Sequence, residues 1–184
     1  MKAIITSALL IAGLAVAQTQ ATPAKSGASA LSSSDQAFLK KATEGNMAEV
    51  QLGQLAQQNG SSSVVKQFGE QMVTDHTKLD DQVKSLAAQK GVTLPTSPSA
   101  KDKALYKTLS AKTGNAFDKA YISAMIKDHK ADIAEFQKVS QSASDPDVKA
   151  LASSALPTLQ EHLQLAEKAA KAVGLSTSTT GGMR

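Results

Sequence analysis

Residues 68–86 read FGEQMVTDHTKLDDQVKSL. Phe68, Met72, His76, Leu79, Val83 and Leu86 recur every three or four positions, the spacing at which an α-helix returns to one face. The stretch is therefore an amphipathic helix, and its buried stripe carries a histidine. The pattern returns twice downstream. Ile122, Met125, Ile126, His129, Ile133 and Phe136 make a second stripe, and Ala155, Leu159, His162, Leu163 and Ala166 a third. These are all three histidines of the chain. A stripe takes roughly 40 % of helix positions, so chance puts three independent histidines there about one time in fifteen. An apolar core has no need of a side chain that titrates near neutral pH. The pattern points to one polar site shared by three helices.

Boundary signals complete the reading. Ser33 with Gln36 forms a capping box that opens a first helix, running to about Gln58 and ended by Asn59-Gly60. Its seam is Phe38, Ala42, Gly45, Glu49, Leu52 and Ala56. Ser61 or Ser62 caps the second helix, which runs to Lys90, with Gly91 at the left-handed C-terminal position. Thr93–Ala100 holds two prolines and is not helical; a short helix near Lys101–Ser110 follows, and Gly114-Asn115 breaks it. The third long helix spans roughly Ala116–Ser142. Asp145 and Pro146 suit the cap and first position of a fourth, which ends near Val173-Gly174. Four amphipathic helices with two short connections and one long one, between helices two and three, make an all-α four-helix bundle over residues 34–173. The long segment either crosses the bundle lengthwise, as in ferritin-like folds, or pads one end.

The flanks differ in kind. Met1-Lys2, the apolar run Ala3–Val16 and the small-x-small Ala15-Val16-Ala17 read as a signal peptide, residues 1–17. The run is short for a membrane span, so export to the periplasm or beyond is expected, with no transmembrane span in the mature chain. Residues 18–33 read as a flexible linker, and 174–184 as a disordered tail.

Composition narrows the function. The chain has 184 residues, 3 % aromatics, no Trp and no Cys. Thiol catalysis, thiolate metal sites and disulfides are excluded. The net charge is +4, or +3 once Lys2 is removed with the leader. The positive charge is interspersed, and the only Arg is Arg184. Stacking aromatics and Arg forks are missing, which argues against nucleic acid as a partner. Weak peripheral association with anionic envelope surfaces fits the charge better. There is no phosphate-binding glycine loop and no G-x-S-x-G elbow, and nothing identifies an enzyme. Met47, Met72 and Met125 read as core fillers.

The candidate site therefore rests on side chains at mid-helix height. His76, His129 and His162 each lie near the middle of a long helix, with Glu49 on the seam of the first. Asp132 follows His129 by three residues and Asp80 follows His76 by four, on the same faces. His76, His129 and His162 are candidate metal ligands, with Glu49 or Asp132 completing the shell. Asp75, Asp128 and Glu161 adjoin the histidines but point about 100° away, so with Asp80 they suit outer positions or neighbouring helices. Imidazole and carboxylate suit Fe, Zn, Mn or Cu. A buried His–carboxylate network that fixes bundle register without metal, in a non-catalytic envelope or stress-associated structural protein, uses the same residues, and three unrelated histidines are the third reading. Pro157, one turn before Glu161 and His162, either kinks its helix to open room for a site or merely restarts it. Met72–His76 (MVTDH) also echoes Met125–His129 (MIKDH), either by duplication or by convergence of similar seams.

Four motifs carry a family resemblance: Ala48–Gly53, Met72–His76, Ala120-Tyr121 with Met125–His129, and Leu156–Leu163. In these, over about residues 34–172, the chain resembles the exported bacterial ferritin-like helical family catalogued as domain of unknown function 4142. Members are often labelled predicted outer membrane protein. The resemblance implies a ferritin-like four-helix bundle with no settled activity, and Glu49, His76, His129 and His162 as polar positions of the family. The chain departs from di-iron ferritins, because Val73, Ile126 and Leu159 stand where a Glu-x-x-His motif needs Glu. Ferroxidase activity and iron storage are not expected. A spanning barrel is incompatible with helical-period seams.

Overall fold

The computed structural model describes residues 31–175. The signal peptide, most of the linker and nearly all of the tail read from the sequence lie outside them. The described residues form five helices: α1 (Ser33–Asn59), α2 (Ser63–Lys90), α3 (Ala100–Ser110), α4 (Gly114–Ser142) and α5 (Pro146–Ala172). No helix among them is long and apolar enough to cross a membrane.

Local chemistry sets the ends. α1 is capped by Ser32, whose hydroxyl accepts from the Asp35 N–H at 3.1 Å. This corrects the capping box expected at Ser33 and Gln36 by one residue; the Gln36 amide instead donates to the Leu31 carbonyl. The Ser62 side chain caps nothing. Asp118 of α4 does that work from across the bundle, accepting from the Ser61 and Ser62 backbone N–H groups and the Ser61 hydroxyl. Asp35 does the same at the other end, accepting from the N–H groups of Ser144 and Asp145. Gly91 (φ 68°) closes α2 with a Schellman turn, in which the Val92 N–H donates to the Ala87 carbonyl at 2.8 Å. Asp145 caps α5, with Pro146 in its first turn. α5 runs unbroken through Pro157, which faces solvent.

These cross-bundle caps define the topology. Asp118–Ser61 puts the start of α4 beside the α1–α2 turn, and Asp35–Ser144 puts its end beside the start of α1. Lys90, at the end of α2, pairs with Asp145 at 2.7 Å. α2 and α4 therefore run in the same direction. The main pairings are the hairpins α1/α2 and α4/α5, joined along α2/α5 and α1/α4. The helices follow the order α1–α2–α5–α4 around the core, and every neighbour is antiparallel.

The connection from 91 to 113 runs the length of the bundle. Val92 and Leu94 pack on the core at one end. Leu109 is buried in the core at the other, where Asn59 donates to the Lys112 carbonyl. α3 contacts both α1 and α4 and covers the seam between them.

The core is two apolar clusters, one around Phe68, Met72, Phe117, Tyr121 and Met125, the other around Phe38, Leu79, Val83, Phe136 and Leu159. Between them each long helix turns polar. α1 contributes Asn46 and Glu49, α2 His76, α4 His129 and α5 His162, all buried.

Candidate functional site

Three imidazoles meet in this polar layer. One ring nitrogen of each of His76, His129 and His162 lies within 4.8 Å of one on each of the others. The rings are 3 %, 0 % and 1 % exposed, so their polar atoms depend on internal partners. Those partners lie on the outer sides of the rings. His129 Nδ1–H donates to the Met125 carbonyl one turn earlier, at 3.0 Å. His162 Nε2–H donates to Asp75 Oδ2 at 2.8 Å. His76 Nδ1–H donates to Asn46 Oδ1 at 2.9 Å.

A neutral imidazole carries one N–H, so each outward bond leaves a bare nitrogen. His76 Nε2 is buried and has no hydrogen-bond partner. His129 Nε2 and His162 Nδ1 face each other at 3.3 Å. Two lone pairs at that distance repel unless a cation lies between them. Phe68 meets His162 edge-on, with centroids 6.4 Å apart, and walls the cluster on one side.

The electrostatics follow from the burial. Desolvation holds His76 well below the usual histidine range, and positive charge on His129 or His162 lowers it further. His129 is lowered to about 4, by burial first and then by His162, against a smaller raising effect of the Met125 bond. The bare nitrogens of His76 and His129 are therefore free to accept a Lewis acid at neutral pH.

The carboxylates divide differently from the sequence reading, which put Glu49 or Asp132 in one shell with the histidines. Glu49, Asp128 and Asp132 form a group of their own, each with an oxygen within 4.8 Å of the others. Glu49 is 1 % exposed, and neither oxygen has a partner. Burial, followed by the charges of Asp128, Asp132 and Asp102, holds its carboxyl well above the ordinary range. Asp132 is raised to about 7, by burial and then by Asp128. A small cavity of about 30 Å³, lined in part by Asn46, His76 and Asp132, lies next to both groups.

The remaining candidates fall elsewhere. Asp75 adjoins His76 in sequence yet serves His162 on another helix. Asp80 pairs with Lys84 at 2.6 Å on its own helix. Glu161 is exposed, points away from the layer and takes no part in either group. Sequence reasoning missed Asn46. The available signal was its place three residues before Glu49, on the same side of α1.

No curated protein and no solved structure matches the chain. The family model for the domain of unknown function DUF4142 matches residues 20–169. That is most of the chain, and the chain belongs to this family.

Proposed function

We propose that the protein binds a transition-metal ion through His76, His129 and His162. The observation that carries this is the pair of bare nitrogens, His129 Nε2 and His162 Nδ1, 3.3 Å apart. A tetrahedral ion with imidazole ligands at about 2.0–2.1 Å holds two such nitrogens about 3.3–3.4 Å apart. The unpartnered His76 Nε2 supplies a third ligand. The outer partners support the same reading, because ligating histidines characteristically donate their second N–H to a carboxylate or carbonyl. Asp75 and the Met125 carbonyl are such acceptors. Three histidines leave a fourth position, and the cavity of about 30 Å³ beside His76 has room for about one water. Imidazole donors suit Zn, Fe, Mn or Cu. The crossover that spans the bundle supports a ferritin-like architecture. Export and peripheral envelope association rest on the residues of the leader and on the charge balance, and N-terminal sequencing of the mature protein tests the first.

The test is elemental analysis of untagged protein purified without chelator, beside His76→Ala/His129→Ala. Near-stoichiometric metal in the wild type and none in the folded variant is expected. A folded wild type that stays metal-free after exposure to Zn, Fe, Mn and Cu overturns the reading. The layer is then a non-catalytic packing network, whose buried histidines only specify how the helices pack.

A further inference from the structure

We propose that Glu49, Asp128 and Asp132 form a second cation site, built of oxygen alone, that takes a hard divalent ion and is separate from the histidine centre. Glu49 reaches across from α1 to two carboxylates one turn apart on α4. All three offer oxygens within 4.8 Å of one another. Three carboxylates this close cannot all be ionised without a counter-charge among them. The cations nearby do not supply enough. Lys101 is mostly exposed and reaches only Asp128, at 3.5 Å. Lys41 is taken by Glu135.

Glu49 is the independent sign of a missing partner. It is 1 % exposed, faces the two aspartates, and accepts no hydrogen bond at either oxygen. Buried carboxylates ordinarily collect several donors. The hydroxyl of Tyr121, also fully buried, lacks a partner too, and burial, followed by the charge of Glu49, opposes its ionisation. A bound cation would satisfy Glu49 directly.

The surroundings suit a hard ion. A cleft of about 250 Å³ between α1, α3 and α4 opens on Asp128 and Asp132. It lets water complete a shell that three carboxylates only begin, as Ca²⁺, Mg²⁺ and Mn²⁺ require. Asp132 also lines the small cavity beside His76, so the two centres are neighbours with different donor chemistry.

Mn²⁺, followed by electron paramagnetic resonance and calorimetry, is the probe. It is titrated into the full-length wild type, Glu49→Gln, Asp128→Asn/Asp132→Asn and His76→Ala/His129→Ala, with folding checked by circular dichroism. One Mn²⁺ should bind in the wild type and in the carboxylate-intact histidine variant, the histidine centre of the wild type having first been filled with one equivalent of Zn²⁺, which imidazoles prefer to Mn²⁺. Affinity should drop about tenfold or more in Glu49→Gln, with one ligand charge gone, and binding should vanish in the aspartate pair. Failure of folded wild type to bind millimolar Mn²⁺ overturns the proposal and means that protons neutralise the cluster. Unchanged binding in both carboxylate variants overturns it as well. Loss in the histidine and carboxylate variants alike means a single shared centre, which overturns separateness. The histidine proposal stands or falls on its own elemental analysis, so failure of one reading is distinguishable from failure of the other.

Discussion

At the scale of single residues, outward bonds decide what the histidines can do. A histidine stripe shows that imidazoles are buried, but not which nitrogen is bare. That depends on a carbonyl within the same helix for His129, an amide of α1 for His76 and a carboxylate of α2 for His162. Asp75 is the most informative of the three partners because it is charged and lies on a different helix from the ring it holds. Replacing it with Ala should leave the fold in place, since it is only partly buried. Metal affinity at the histidines should fall about 10–100-fold, the usual effect of deleting an outer carboxylate partner. Competition against a chromophoric Zn²⁺ chelator reads this directly. Affinity equal to wild type would mean that His162 needs no acceptor to hold its tautomer, and would weaken the case for a ligating Nδ1.

At the scale of elements, the stripes were legible because a period of 3.6 residues writes a buried face into any one helix. The rotation of one helix against another leaves no such trace. Glu49 lies on the seam of α1, as read from the sequence, but its azimuth turns it to α4 and not to the histidines. The echo of MVTDH in MIKDH shows the same limit. It falls on the second helix of one hairpin and the first of the other, on helices that run parallel. Duplication of a helical hairpin would put the copies at equivalent positions, so the topology favours convergence of two similar seams. Gly53 and Gly69 also gave no warning of their role. A Cβ on Gly69 would lie 2.7 Å from the Gly53 carbonyl oxygen and 2.8 Å from the Ala56 Cβ. The α1/α2 hairpin closes backbone to backbone there. Gly69→Ala should therefore cost about 1–3 kcal/mol through overpacking, against the slight gain Ala ordinarily brings to a helix. Urea denaturation measures it, and a neutral or stabilised variant would show that α1 and α2 separate without penalty.

At the scale of the whole molecule, the bundle is two apolar cores held apart by a polar slab, and the slab should govern how stability responds to pH. The fold class was legible from four stripes and three turn signals. The lengthwise crossover and the caps supplied by Asp35 and Asp118 were not, because they depend on residues more than fifty positions apart in the chain. The titrating groups of the slab act in opposite directions in chelator-treated protein. His76 and His129 stay neutral in the fold below their ordinary range, so below about pH 6.5 the unfolded chain binds protons that the native state refuses. Glu49 and Asp132 stay protonated in the fold above theirs, so above about pH 4 the native state keeps protons that the unfolded chain releases. The two pairs oppose each other between the ordinary carboxyl and histidine ranges, so stability should depend on pH less steeply there than either pair alone would make it. Toward lower pH the carboxyls of the unfolded chain protonate while the lowered histidines still refuse protons, His129 down to about 4, and Asp145 loses its pairing with Lys90; stability should fall with falling pH. Above pH 7 the histidines are neutral in both states and Asp132, at about 7, ionises. The raised carboxyl of Glu49 adds a decline of stability with rising pH, about 1.4 kcal/mol per unit for one retained proton, that ends when the carboxyl ionises in the fold. Glu49→Gln removes this contribution and makes stability fall more steeply with falling pH below the histidine range, because one raised carboxyl then opposes two lowered histidines. Urea midpoints for both proteins from pH 4.5 to 9 test the scheme. A pH response unchanged in Glu49→Gln would show that the carboxyl of Glu49 is already ionised in the native bundle.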